Sequence, residues 1–227
     1  MDDEPRAAAS RPARGHSPAL AAVAAYARDA AAGQGAVVLV EGRSDQAAVE
    51  ALAARRGRDL RAERIFTVPM GGATNLSHFL DLLGPRGLGV RLAGLCDAAE
   101  APGFRRGLQR AGLVSPDPAP GGVPAGVPDG APGETAGFFV CVADLEDELI
   151  RSLGPARVEQ VVAAQGELGA LRTFSKQPAQ RERSREQQLR RFMGTRSGRK
   201  IQYARALAEA LDPGRVPEPL DRLLAYV

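Results

Sequence analysis

Five carboxylates in this sequence stand where acids are out of place. Glu41 follows the aliphatic run Val37-Val38-Leu39-Val40, and Asp45 comes one helical turn later. Asp97 closes Leu92-Ala93-Gly94-Leu95-Cys96, while Asp144 and Glu146 come just after Phe138-Phe139-Val140-Cys141-Val142. Short apolar runs of this kind read as strands buried on both faces. If the strands are parallel, the acids that follow them meet at one edge of the sheet. Carboxylates a few ångströms apart repel and raise one another's pKa, and hard divalent cations relieve that repulsion. Mg²⁺ and Mn²⁺ prefer oxygen ligands, and two such ions about 4 Å apart can clamp the attacking and leaving oxygens of a phosphodiester. The competing use of an acid at a strand end is to cap the next helix, and for Asp45, Glu100 and Glu148 taken singly capping or solvation serves equally well.

The elements that would position these acids alternate. Ser17-Pro18 offers an N-cap and a first-turn proline, with Gly33 as a stop, for an Ala-rich helix. Strand 37–40 precedes a helix of about 45–56 ending at Gly57. Strand 65–68 leads through Pro69-Met70-Gly71-Gly72 to a helix of about 75–83 that buries Leu76, Phe79, Leu80 and Leu83. Strand 89–96 precedes a helix of about 100–111, and strand 138–142 a helix of about 145–153. Alternation of this kind predicts an α/β fold, a mostly parallel four-stranded sheet flanked by helices, with a helical extension at the C-terminal end. In such sheets ligands sit beyond the C-terminal ends of the strands. Gly42 and Gly71-Gly72 are expected to let backbone approach that edge. The organisation expected is a disordered tail over 1–16, a helix within 17–35, the α/β domain over 36–153 with a mobile Pro/Gly-rich insertion at 115–137, and the helical extension over 154–227.

Other chemistries are disfavoured. A chain of 227 residues with 44% hydrophobic and 25% charged residues has a globular balance. Cys96 and Cys141 are the only cysteines and lie in apolar runs, which suits core thiols in a reducing compartment. The acidic start Met1-Asp2-Asp3-Glu4 is unlike a signal peptide, and no apolar run has the length of a membrane span, so a cytoplasmic protein is expected. There is no GxxxxGK[ST] and no GxGxxG after a strand, so no ATP site is expected in this chain. His16 and His78 are the only histidines, too few and too scattered for a zinc site.

The stretches "VVLVEGRSD", "VPMGGATNL" and "LAGLCDAAE" together resemble the Toprim domain shared by topoisomerases, bacterial-type primases and the overcoming-lysogenization-defect (OLD) nucleases. The resemblance implies a Rossmann-like sheet over about 36–153. Topoisomerases and primases carry Asp-x-Asp on the third motif strand, whereas Asp97-Ala98-Ala99 lacks the second aspartate. The OLD pattern fits better, with Glu41 and Asp45, then Asp97, then Asp144-Leu145-Glu146. It implies two Mg²⁺ or Mn²⁺ ions, with Glu41 and Asp45 holding one and Asp97, Asp144 and Glu146 holding or sharing the other. Glu100 could replace the missing aspartate. OLD nucleases also use a lysine that opens a late helix. "SGRKIQYARALAEAL" is similar to that helix, with Ile201 in place of a proline, and so makes Lys200 the residue that stabilises charge on the transferring phosphoryl group. Of the 30 basic residues only Lys176 and Lys200 are lysines, and Lys176 lacks such a context.

The resemblance implies metal-dependent hydrolysis of DNA, with Glu41, Asp97 and Lys200 as catalytic residues. OLD proteins usually fuse this domain to an ABC-type ATPase. A chain without that ATPase would act alone, depend on a separate ATPase partner, or have lost regulation by ATP. The alternatives are a primase- or topoisomerase-like nucleotidyl transferase, or a degenerate Toprim that only binds nucleic acid. Independently of the resemblance, residues 181–200 carry eight basic and two acidic side chains, a local charge of +6 that favours contact with nucleic-acid phosphates, although a solvated helix would also carry such a run.

Overall fold

The computed structural model describes residues 18–114, 137–196 and 198–227. The tail expected at 1–16 and all but the last residue of the 115–137 insertion lie outside the described residues. After helix α1 (Pro18–Ala32) come β1 (Ala36–Val40), α2 (Arg43–Arg55), β2 (Ile65–Pro69), α3 (Leu76–Leu83), β3 (Arg91–Asp97), α4 (Ala101–Ala111), β4 (Phe138–Cys141) and α5 (Leu145–Leu153). The C-terminal part adds α6 (Pro155–Ala164), α7 (Leu168–Ser175), α8 (Arg185–Met193), α9 (Arg199–Ala210) and α10 (Glu218–Tyr226). The strands form one four-stranded sheet in the order β2-β1-β3-β4, and every neighbouring pair is parallel.

The sheet is covered on both faces, which is why its strands read as apolar runs. β1 shows the division, because successive side chains of a strand point to opposite faces. Ala36, Val38 and Val40 enter a core built with α2, α5, α9 and α10, while Val37 and Leu39 enter a second core built with α1, α3 and α4. Apolar residues of α6, α7 and α8 join the first core, so the C-terminal helices share the sheet's hydrophobic interior. Among the described residues no helix is long and apolar enough to cross a membrane.

Two boundaries differ from expectation for local reasons. The helix expected from about 45 starts at Arg43, because the Asp45 carboxylate folds back to accept the Gly42 N–H at 2.8 Å and closes the first turn. The third strand starts at Arg91, because Gly89 takes a left-handed φ of 62° in the preceding turn.

Candidate functional site

Parallel pairing brings the C-terminal ends of β1, β3 and β4 side by side, and the acids follow. The register pairs Leu39 with Gly94 and Asp97 with Cys141. Glu41 lies just past the end of β1, where its carboxylate accepts the backbone N–H of Asp97 at 3.2 Å. The turn after β2 is tied to the same place, since the N–H groups of Gly71 and Gly72 donate to the Glu41 carbonyl at 3.0 and 3.1 Å. Positive φ values of 75° and 120° at these two residues make glycine the fitting choice. Gly42 differs from expectation. Its backbone is extended and a Cβ there would have only ordinary contacts, so its contribution is the N–H given to Asp45.

The acids divide into two overlapping groups. Glu41 has the Glu100 carboxyl beside it and feels the charge of Asp97. Burial first, then these two neighbours, push Glu41 up to about 8. Asp97 is pushed up to about 7 by burial and by Asp144, Asp45, Glu100 and Glu146 around it. Asp45 rises to about 6, chiefly through burial and despite the Gly42 N–H, with Glu146 and Asp144 adding repulsion. Asp144 and Glu146 are thus the acids whose charge bears on Asp45, whose carboxylate is held by the first turn of α2. Asp97 stands between the groups.

The second group already carries cations. Asp144 caps α5 by accepting the Asp147 N–H at 2.8 Å, and it pairs with Arg190 of α8. Glu146, only 4% exposed, lies 3.0 Å from the Lys200 ammonium. That contact is an ion pair without hydrogen-bond alignment, and it leaves Glu146 Oε1 with no hydrogen-bond partner. Partial burial opposes the Lys200 charge, but Glu146, Asp144 and Asp45 outweigh it and raise its pKa. Glu148 serves the fold, accepting the Val142 N–H at 2.8 Å and pairing with Arg151.

Lys200 owes its position to a neighbour that the sequence did not single out. Buried Arg199 donates to Glu167 at 2.7 Å and to the Phe192 carbonyl at 3.2 Å, and its guanidinium lies 4.3 Å from the Phe192 ring centroid. Tyr203 donates to the other Glu167 oxygen at 2.9 Å. This buried network pins the start of α9. Of the Arg-rich run, Arg185, Arg190, Arg199 and Lys200 are thus committed to internal acids, and Arg185 binds Glu159 of α6 at 2.7 Å. Arg181, Arg191 and Arg196 are exposed.

The donor set is one of oxygens. Cys96 and Cys141 are buried free thiols, and Cys96 is pushed up to about 12 by burial and nearby acids, so neither offers a thiolate. Buried Glu100 Oε2 and Glu146 Oε1 lack hydrogen-bond partners and suit a hard cation. Among the described residues no three side chains converge into a ready-made metal cage. Ion binding therefore requires side chains such as Glu146, now held by Lys200, to turn.

A parallel sheet with acids gathered beyond its C-terminal edge, one of them in a Glu-Gly turn after the first strand, defines a domain of Toprim type. The sequence profile of the "Overcoming lysogenization defect protein-like, TOPRIM domain" matches residues 35–98. That match spans the first three strands of the sheet, from β1 to the end of β3. Among solved structures, the C-terminal region of the Xanthomonas campestris pv. campestris OLD protein is 26% identical, with 85% of this chain and 91% of that chain covered at a TM-score of 0.60. The C-terminal region of the Burkholderia pseudomallei OLD protein shares the fold at 22% identity, covering 84% and 95% with a TM-score of 0.57. A comparison with curated protein sequences finds no match.

Proposed function

We propose that this protein hydrolyses phosphodiester bonds in DNA with Mg²⁺ or Mn²⁺ bound at the sheet edge. The observation that carries the reading is the gathering of Glu41, Asp45, Asp97, Asp144 and Glu146, with Glu100, at one edge, where burial and mutual repulsion raise three of them. Glu41, Asp97 and Glu100 would hold one ion, and Asp45, Asp144 and Glu146, with Asp97 in common, the other. Bound there, the ions would supply an activated water and neutralise charge on the phosphate oxygens.

The chain's own residues do the rest. Glu41, pushed up to about 8, gives up its proton when positive charge arrives. Lys200, freed from Glu146, places its ammonium against the phosphoryl oxygens as charge builds on them. Arg190 keeps the Asp144 carboxylate fixed from α8. The network of Arg199, Glu167 and Tyr203 holds the start of α9 so that Lys200 reaches the edge.

Supercoiled plasmid incubated with purified protein and Mn²⁺ or Mg²⁺ tests this, beside a Glu41→Ala, Asp97→Ala double variant. Nicked and linear products that need metal and disappear in the double variant are expected. Relaxed closed circles would point to strand passage instead. Plasmid retained without any cleavage would leave a nucleic-acid-binding Toprim and end the hydrolytic reading.

A further inference from the structure

The acidic edge lies between two cation-bearing depressions on opposite sides of the sheet. On the α2 and α9 side a cleft of about 370 Å³ is lined by Arg43, Ser44, Thr195, Arg196 and Lys200, with Ile201 and two glycines and no carboxylate. On the α3 and α4 side a groove of about 340 Å³ carries Arg106 and Arg110 facing Thr74 and Ser77. Arg43, Arg106, Arg110 and Arg196 are all exposed. Guanidinium and hydroxyl groups are among the side chains that hydrogen-bond phosphate oxygens.

Contacts already described join the two depressions through the site. Glu100 lines the α3 and α4 groove and its carboxyl neighbours Glu41. Glu41 accepts from Asp97, and Asp97 interacts with Asp45 and Glu146. Glu146 meets Lys200, which lines the α2 and α9 cleft. A cationic groove on one side would suit a free anion, whereas cations on both sides of a carboxylate row suit a chain of anions that spans it. The middle of that chain would lie over the acids, where divalent ions would offset the repulsion.

We infer that a DNA strand crosses the sheet edge from the Arg43–Arg196 cleft to the Arg106–Arg110 groove, with flanking phosphates held at both ends. This path rests on the nuclease reading for its chemistry but makes its own claim about binding. Arginines of the helical run that lie outside the cleft, such as Arg181 and Arg191, are not part of it.

The test is fluorescence anisotropy with a short labelled single-stranded DNA, titrated at several salt concentrations in Ca²⁺. The variants are Arg43→Gln with Arg196→Gln, Arg106→Gln with Arg110→Gln, and Arg181→Gln with Arg191→Gln as a control. At about 0.7 log units of salt dependence per phosphate contact on a single strand, each path variant should lower the salt slope by about 1.4, and the control should leave it unchanged. Mn²⁺ binding by calorimetry should be the same in all of them, which separates lost phosphate contacts from a damaged site. An unchanged slope in either path variant, an equal loss in the control, or a wild-type chain that does not retain the DNA overturns the path. Lowered slopes together with an uncut plasmid sustain the path and refute the hydrolytic reading.

Discussion

Metal binding at this edge should expel protons in a number set by the raised carboxylates. At pH 7 a group titrating at about 8 is about nine-tenths protonated, one at about 7 is half protonated, and one at about 6 about one-tenth. Ligands must be deprotonated to bind a cation, so filling a site built on Glu41, Asp97 and Asp45 releases about 1.5 protons at pH 7 and about 0.1 at pH 9. The apparent affinity for Mn²⁺ then rises with pH by about 1.5 log units per unit near pH 7 and levels off above 8. Calorimetric titration in two buffers of different ionisation enthalpy counts these protons directly. Glu41→Gln removes the largest contributor, and the release at pH 7 should fall to about 0.6. Binding without proton release at pH 7, a release that does not change between pH 7 and 9, or a Glu41→Gln variant that releases as many as the wild type would refute the electrostatic account of the site.

The same groups govern the metal-free fold. Their folded pKa values lie above the ordinary Glu and Asp values of 4.5 and 3.8, so the stability they contribute is complete below about pH 4 and is lost as pH rises through about 6, 7 and 8. Urea melts in EDTA should therefore show stability falling between pH 5 and 8, with a shallower fall in Glu41→Gln, and added Mg²⁺ should restore it most at the alkaline end. In the centre of the sheet, a Cβ on Gly94 would sit 2.5 Å from the Leu39 carbonyl oxygen and 2.8 Å from the Phe138 ring, so Gly94→Ala should cost about 3 kcal/mol or more in denaturant unfolding. Tyr203→Phe removes the 2.9 Å hydrogen bond to Glu167 but keeps the ring, and should cost about 1 kcal/mol, lowering Tm by about 2–4 °C in a scanning melt.

The sheet was legible because each of its strands is buried on both faces, and that burial writes itself into the sequence as an unbroken apolar run closed by an acid or a glycine turn. The helices of the α/β part could be placed to within a few residues for the same reason, their apolar positions recurring at helical spacing between capping residues. The counter-charges of the site were not legible. Arg190 and Asp144 are far apart in sequence, and nothing local distinguishes an arginine that reaches an acid on another helix from one in solvent. Residues 181–200 therefore read as a single basic surface, whereas folding pairs half of its cations with acids of other elements. Glu100 was ambiguous for a related reason. As the N-cap residue of α4 it looks like an ordinary helix start, and only the parallel pairing of β1 with β3 sets its carboxyl against Glu41.

The charges at the edge also indicate where a cation is missing. Asp144 and Glu146 each have a partner of opposite sign, Arg190 and Lys200. Among the described residues Glu41, Asp97 and Asp45 form no ion pair, Lys200 only partly offsets the charge of Asp45, and these are the carboxylates whose pKa values burial and repulsion push up. A fold that needed these acids only as caps would expose them to water or pair them, because a half-buried carboxylate without a counter-ion costs stability at neutral pH. Instead the sheet brings them together, and the nearby cations are committed to the other acids. The deficit centres on Asp97, between the two groups, which is where a divalent ion would neutralise the most charge. Lys200 can leave Glu146 for a phosphate at little cost only if another positive charge takes its place beside the acids. Under the proposed function, metal binding and the release of Lys200 toward a phosphate would therefore be one coupled event.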